Sequence, residues 1–417
     1  MNSYNLCLII FFILSINTSV FTKIISFPYK YKYSSYYIFY NSEIFLKDHF
    51  KKKLSIELNI GTPSKRVKAL LVQESACFIF KKENSSYDNY KYFPMKSSSL
   101  KKGKKMDVFK NLKNYMDIFN FSQINQTQNL KFLLENYTNS TSDNYTPFIS
   151  LNSPLVFSYM LYSCPNFLMD LKSGFLIDKI MWSIIHKDQF EGTIIIGGEL
   201  SEYNPIKYPV SNYYTIYFDQ QFSFKFESIY IIDSWDRKGY INKNISDLKL
   251  TDVTIDINLG IIIGTDEYRD YIDKKFFNHL VKRHTCKKDI VKYINDIDYY
   301  IYSCYNLDFI GQKNQRHPGI NYYNSFPKLI FSSKKIEYNF ELTNKDLFAQ
   351  ISGRYYFLII FKKYNNNTEE KGKEIWYLGQ PFYKKYTFSI NLDSKTIGFY
   401  LEKDNKNKNQ NNFISLS

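Results

Sequence analysis

The sequence predicts a mostly β protein, and three observations lead to this prediction. Residues 54–60 alternate apolar and polar side chains, which is the period of a strand with one buried face. Gly61-Thr62-Pro63 then turns the chain, and a second strand is predicted from Val67 to Val72. Residues 192–199 are typical of a buried strand that ends in a tight Gly-Gly turn. The length of 417 residues allows two to three ordinary domains or one large bilobal domain.

The order of strand, Gly-Thr-Pro turn and strand resembles the opening of the pepsin-like aspartic proteases, among which the plasmepsins look most similar. Family-like patterns recur in the same order along the chain, at residues 75–80, 167–178, 182–185, 192–199, 326–331, 375–386 and 397–399. The resemblance implies a mostly β, bilobal fold in which two β-barrel-like lobes enclose a central cleft.

The first catalytic loop of that family follows the second of these strands and has the sequence Asp-Thr-Gly-Ser. Counted from Gly61, the four positions hold Val72, Gln73, Glu74 and Ser75. The resemblance therefore implies a degenerate first loop, in which Val72 replaces the catalytic acid.

The second catalytic loop aligns with residues 255–264 without a gap, which places Asp256 at the position of the second acid. Asn258 replaces the loop glycine, and Leu259 replaces the Thr or Ser whose hydroxyl braces the two loops in the family. Asp256 is a candidate catalytic residue in a degenerate loop. A lone carboxylate at the end of a strand is more often a surface or turn residue than a catalyst.

The family closes its cleft with a hairpin flap, and residues 84–146 show no flap motif. This segment is polar, rich in Lys and Asn and weakly periodic, so we expect a loop-rich insertion there. An ordinary half-buried ring is the better interpretation of Tyr115, which could be aligned with the flap. Ser150 replaces a glycine that passes under the first loop in the family, so we expect a changed loop geometry.

Aspartic proteases hold two carboxylates about 3 Å apart, one to activate a water and one to protonate the scissile carbonyl. With Val72 opposite Asp256, the resemblance implies a catalytically inactive homologue that binds a peptide or protein in its interlobe cleft. An active endopeptidase with an atypical site, in which Gln73 or Glu74 supplies the second group, is an alternative. A structural or adhesive surface protein is a second alternative.

The chain is expected to divide into five parts. The apolar run from Leu6 to Ile16 predicts a signal peptide, and it is too short to span a membrane well. The parts are a signal peptide at 1–20, a short pro-like segment at 21–50, an N-terminal lobe at 51–211, a C-terminal lobe at 212–401 and a disordered tail at 402–417.

Cysteine usage predicts an oxidising compartment, because removal of the signal peptide leaves an even number of thiols. The four remaining cysteines are Cys77, Cys164, Cys286 and Cys304. We expect Cys286 to pair with Cys304, while the pairing of the other two stays open. The positions of His279 and His284 beside Cys286 do not place three ligands on one helical face, so a metal site is not expected.

The net charge of +15 is discounted as a functional signal, because residues with AT-rich codons dominate the composition. Its lysine runs are best interpreted as solvated surface rather than as a nucleic-acid site. We therefore expect a monomer of the secretory pathway, secreted or in the lumen of a secretory organelle or vacuole. No cofactor, nucleic acid or transmembrane anchor is expected.

Overall fold

The computed structural model describes residues 23–31, 41–50, 54–73, 77–82, 92–103, 112–135, 145–152, 164–188, 191–219, 222–232, 238–240, 251–293, 297–305, 309–310, 321–363 and 375–401. The described chain is mostly β. The strands of its first half are β1 (Ile25–Tyr31), β2 (Leu54–Ile60), β3 (Lys65–Val72), β4 (Ile79–Lys82), β5 (Lys101–Lys102), β6 (Leu112–Phe121), β7 (Gln126–Glu135), β8 (Tyr145–Ser150), β9 (Met181–His186) and β10 (Glu191–Ile196).

The second half continues with further strands and short helices. Its strands are β11 (Tyr213–Tyr217), β12 (Ser223–Phe226), β13 (Ser228–Ile232), β14 (Lys238–Tyr240), β15 (Thr251–Ile255), β16 (Ile262–Gly264), β17 (Cys286–Tyr293), β18 (Ile297–Tyr305), β19 (Lys328–Ser333), β20 (Tyr338–Leu342), β21 (Phe348–Ile351), β22 (Arg354–Phe357), β23 (Ile359–Lys363), β24 (Trp376–Leu378), β25 (Phe388–Asn391) and β26 (Thr396–Tyr400). The helices named for the described residues are α1 (Ser42–Phe50), α2 (Phe167–Ser173), α3 (Leu200–Tyr203), α4 (Asp266–Ile272), α5 (Asn278–Lys282), α6 (Asn344–Leu347) and α7 (Gln380–Tyr383).

A closed barrel forms the body of the first half. The strand order β2-β3-β8-β4-β7-β6 closes because β6 also pairs with β2. Alternating side chains fill the interior, and aromatic rings dominate it: Phe80 packs against Phe132 with ring centroids 4.3 Å apart. The predicted strands at 54–60 and 67–72 are confirmed as β2 and β3 of this barrel.

Residues 84–146 differ from the predicted loop-rich insertion. They contain the ten-residue strands β6 and β7, which pair along their whole length from Leu112 with Glu135 to Phe121 with Gln126. Buried and more exposed side chains do alternate along β6. The fully buried Asp117 breaks the apolar pattern, so the alternation is not visible in the sequence. Tyr115 is a buried core ring. Residues 104–111, which connect β5 to β6, lie outside the described residues, so the missing flap motif stays a prediction.

A long sheet joins the barrel to strands from both ends of the chain. β1 lies between β10 and β2, and on the far side of β10 the order continues through β9, β25, β26 and β11. The segment at 21–50 was expected to be pro-like, and its strand β1 is built into this sheet with Phe27 and Tyr29 buried. Its removal would leave β10 and β2 without the strand between them.

The second half contains two further sheets. One runs β12-β15-β24-β16-β23-β18-β22-β21, with β17 paired to β18, and the other runs β14-β13-β19-β20. The helix α1 packs its buried Phe45 and Leu46 into an apolar cluster of the first of these sheets, together with Leu259, Ile261 and other residues. The first-half strands β1 and β2 are thus linked by a helix that is anchored on the second half.

Two disulfides cross-link the described chain. Cys286 pairs with Cys304, which confirms the predicted bond, and Cys77 pairs with Cys164, which the sequence had left open. Within the described residues no helix is long and apolar enough to cross a membrane. The predicted signal peptide at 1–20 and the predicted tail at 402–417 lie outside these residues.

Candidate functional site

Each half of the chain contains one of the two candidate catalytic loops. The strands around the two loops pair with each other in the same way. β3 pairs in parallel with β8, and β8 pairs antiparallel with β4, which pairs in parallel with β7. In the second half β15, β24, β16 and β23 repeat this arrangement with the same parallel and antiparallel senses. The two candidate catalytic loops are therefore the same element of an internal structural repeat.

The strand registers show which residues are equivalent in the repeat. Ile79 lies opposite Phe148, which lies opposite Leu70. In the second half Ile263 lies opposite Tyr377, which lies opposite Thr254. Two residues after Leu70 the first half has Val72, and two residues after Thr254 the second half has Asp256. Val72 thus occupies the position equivalent to Asp256.

Gln73 joins the two loops through its side chain. Its Nε2 donates to the carbonyl oxygen of Ile255 at 2.8 Å, and its Oε1 accepts from the backbone N–H of Ile257 at 3.1 Å. These two backbone groups flank Asp256. The residues next to Val72 and Asp256 are therefore within the reach of one glutamine side chain. Gln73 is only 7% exposed, so both bonds are shielded from water.

Asp256 is held in a turn of the second loop. Its backbone N–H donates to the carbonyl of Leu378 at 3.1 Å, and its Oδ1 accepts from the N–H of Asn258 at 2.8 Å. The N–H of Leu259 donates to the carbonyl of Asp256 at 3.2 Å. The carboxylate thus stabilises its own loop, and its side chain is half-buried. Asn258 contributes here through its backbone rather than as a catalytic group.

Leu259 packs in the apolar core. Its side chain is 4% exposed and lies in the same apolar cluster as Phe45 and Leu46 of α1. The next residue, Gly260, donates its backbone N–H to the carbonyl of His49, the penultimate residue of α1, at 2.7 Å. The second loop is therefore covered by α1, a contact that the sequence analysis missed. The only signal for it was the apolar pair at residues 45 and 46.

The support beneath the two loops differs. A Cβ on Gly379 would lie 1.9 Å from the carbonyl oxygen of Ile261, so the second loop passes directly over this glycine. Ser150 is the equivalent residue in the first half, and a residue with a Cβ cannot be approached so closely. Cys77, the equivalent of Ile261, is instead tied to Cys164 by a disulfide. The changed loop geometry expected from Ser150 stays a prediction, because residues 74–76 lie outside the described residues.

The first loop lacks the close contact that Gly379 makes with the second loop, and buried asparagine side chains hold it instead. The hydroxyl of Ser150 accepts from the N–H of Asn152 at 3.1 Å, and Nδ2 of Asn152 donates to the carbonyl of Gln73 at 3.3 Å. The side chain of Asn166 in turn donates to the carbonyl of Asn152 at 2.8 Å. Gln73 is thus fixed through its backbone as well as through its side chain. The segment 74–76, which includes the predicted site residues Glu74 and Ser75, lies outside the described residues.

A buried tyrosine of α7 supports the second loop and links it to β1 of the long sheet. The hydroxyl of Tyr383 donates to the carbonyl of Ile257 at 2.9 Å and lies 3.2 Å from the hydroxyl of Tyr31 in β1. Complete burial, followed by the neighbouring Tyr31, raises the pKa of Tyr383 well above its usual range. The phenol therefore stays neutral and keeps its proton for the loop carbonyl at physiological pH. Nothing in the sequence distinguished Tyr383 from the many other tyrosines.

No family model and no curated protein matches this chain. The meeting point of the two loops, which we call the junction, is therefore interpreted from its own geometry. The structure brings Val72, Gln73, Asp256 and Leu259 together at the meeting point of the two loops, whereas Cys286 and Cys304 lie on β17 and β18 outside the loops. The described residues contain no cluster of three His, Cys, Asp or Glu side chains that could hold a metal ion.

Proposed function

We propose that this chain has a pepsin-like fold and acts as a secreted, catalytically inactive homologue of the aspartic proteases that binds a peptide or protein between its halves. The observation that carries the proposal is the equivalence of Val72 and Asp256 in the internal repeat. A two-carboxylate site needs an acid at both positions, and valine can neither accept nor donate a proton. The fold assignment is supported by the repeat itself and by the family-like motifs that it contains.

Chemistry explains why one acid is too few. A single general acid or base contributes typically 10²- to 10⁴-fold, and enzymes accelerate reactions by about 10⁶-fold or more. A lone aspartate also lacks the like-charged neighbour that pushes the two pKa values of a protease dyad apart. Asp256, whose Oδ1 already accepts from its own loop, is in this proposal a structural residue.

The rigid junction supports a binding role. Gln73 fixes the two loops to each other, and Tyr383 and Asn152 fix each loop to the sheet behind it. A surface that is ordered before binding loses little conformational entropy when a ligand arrives. The two disulfides favour a secreted or lumenal location for this monomer.

The test compares hydrolysis and inhibitor binding. Recombinant protein is incubated with a library of unstructured peptides between about pH 3 and 7, and its melting temperature is measured with and without pepstatin. We expect no cleavage and no rise in melting temperature, because the statine hydroxyl binds between two carboxylates. Peptides selected from the same library by affinity should bind the protein without being cut.

An active endopeptidase with an atypical site is the second candidate, because Asp256 is retained and Gln73 keeps the two loops together. In that case Glu74 supplies the second carboxyl. Pepstatin-sensitive cleavage that disappears in Asp256→Ala but persists in Asp252→Ala would establish this alternative. Asp252 is a suitable control because it lies on the same strand and pairs with Lys225 at 3.8 Å, away from the loop.

A further inference from the structure

The positive charge of the chain is concentrated in one region. Residues 51–135 contain 17 Lys and Arg against 7 Asp and Glu, so this region carries +10 of the net charge of +15. Codon bias would spread lysine over the whole chain, and it does not account for this asymmetry. The region corresponds to most of the first-half barrel, from β2 to β7.

The barrel places most of the described cations of this region on its outer wall. Most of its inward side chains are apolar, so residues of alternate character on the same strands face solvent. The exposed cations on or beside these strands are Lys65, Arg66, Lys81, Lys96, Lys101, Lys102, Lys113 and Lys131. Asp117 cannot neutralise them at the surface, because it is fully buried and accepts hydrogen bonds from Tyr92 and Ser99.

Phe93 brings two of these lysines together. The Nζ of Lys96 lies 4.6 Å from the centre of the Phe93 ring, and the Nζ of Lys65 lies 5.8 Å from the same centre. The two ammonium groups therefore share one small area of surface, next to the exposed Met95. In the described part of the chain, no carboxylate lies within ion-pairing distance of Lys65 or Lys96, nor of Lys101 or Lys102 on β5.

Exposed lysines elsewhere in the molecule are more often paired. Lys172 contacts Asp393 at 2.9 Å and Lys385 contacts Asp346 at 2.8 Å, with comparable pairs at Lys179, Lys187, Lys328 and Lys363. On edge strands, lysines commonly serve to prevent strand addition, which explains Lys101 and Lys102 on β5. That role does not explain Lys65 and Lys96, which gather around an aromatic ring away from the edge strand.

We propose that the barrel wall that carries Lys65 and Lys96 at the Phe93 ring, together with Lys101 and Lys102 on β5, binds a sulfated polysaccharide. A barrel wall with cations spread over several of its elements fits an extended polyanion. The apolar face of a sugar ring can pack against Phe93 and Met95. The disulfides indicate an oxidising compartment, where sulfated polysaccharides rather than nucleic acids are the abundant polyanions. This surface is separate from the loop junction, so the proposal is independent of the lost catalytic acid.

The experiment measures binding to immobilised heparin at physiological salt. The wall variant carries Lys65→Gln, Lys96→Gln, Lys101→Gln and Lys102→Gln. The control variant carries Lys274→Gln, Lys275→Gln, Lys334→Gln and Lys345→Gln, which are exposed and outside the barrel. Both variants lose four positive charges, so they have the same net charge. We expect the wall variant to bind roughly 10-fold or more weakly and with a smaller salt dependence. The control should stay within about threefold of the parent protein.

Three outcomes would overturn the proposal. Equal losses of affinity in the two variants would mean that heparin binding depends on net charge alone. Absence of heparin binding by the parent protein at physiological salt would show that the proposed site does not exist. Tighter binding to polyglutamate, or to vesicles containing phosphatidylserine, than to heparin would assign the wall to an acidic protein or a membrane. The double variant Lys65→Gln, Lys96→Gln repeats the test with less change to the surface, should the fourfold variant lose its folded circular dichroism spectrum.

Discussion

Replacement of Gln73 by alanine should destabilise the protein more than most substitutions of an uncharged polar residue do. The change removes two shielded hydrogen bonds, of 2.8 and 3.1 Å, and leaves the carbonyl of Ile255 and the N–H of Ile257 without this partner. A buried polar group that loses its partner costs about 1–3 kcal/mol, and water that enters the space recovers part of that cost. We therefore expect Gln73→Ala to lower the free energy of unfolding by about 2–4 kcal/mol.

The assay is urea denaturation at pH 7 followed by tryptophan fluorescence. Trp182 on β9 and Trp376 on β24 are both buried, so the signal reports on the long sheet and on the second half. Gln123→Ala is the matched control, because Nε2 of Gln123 also donates to a backbone carbonyl, that of Ser26 at 3.1 Å, but on an exposed surface. The control should change stability by less than about 0.5 kcal/mol. Equal effects of the two substitutions would refute the assignment of Gln73 as the brace between the loops.

Gln73→Glu adds a pH dependence with a definite sign. An ionised carboxylate can accept from Ile257 but cannot donate to the carbonyl of Ile255, and it lies close to Asp256. Burial and the like charge both raise the pKa of the introduced carboxyl in the folded state above its ordinary value of about 4.3. The variant should therefore be closest to the parent in stability below that ordinary value and lose stability as pH rises through the raised pKa. Stability that is independent of pH relative to the parent would contradict this account.

Two further predictions concern the first loop and the end of α2. Val72→Asp should leave peptide hydrolysis undetectable in a library digest and lower stability by about 1–3 kcal/mol, because the new carboxylate is partly desolvated at this half-buried position. Robust cleavage at unchanged stability would mean an intact active site. Phe175→Gly should raise the free energy of unfolding by about 1 kcal/mol in the urea assay. Phe175 ends α2 with a left-handed φ of 58° while its ring is 77% exposed, so glycine relieves strain and loses little burial; destabilisation would show that the ring has a partner.

The sequence predicted the strands that carry a clear pattern. The alternation at 54–60 and the apolar run before Gly197 are both confirmed, because each has a regular period and a turn residue at its end. The strands β6 and β7 were missed, because Asp117 stands at an inward position and satisfies its carboxylate with Tyr92 and Ser99. Local periodicity cannot anticipate a buried acid whose partners come from another segment.

The site was predictable to a smaller extent. The motifs located both loops, and they aligned Val72 with the first catalytic position and Asp256 with the second. The bracing role of Gln73 could not be read from the sequence, because its partners are backbone groups more than 180 residues away. The contact of α1 with Leu259 was hidden for the same reason, since the two segments are brought together only by the fold.

The described loop residues that depart from the protease motifs each have a partner in the structure. Gln73 makes two cross-loop hydrogen bonds, Leu259 fills the cluster under α1, and Ser150 accepts a hydrogen bond from Asn152. Together these contacts join the two loops to each other and to α1 through hydrogen bonds and apolar packing. A single aspartate at position 72 leaves all of them in place. Under the proposed function, that substitution therefore does not create the surroundings that a catalytic carboxylate needs.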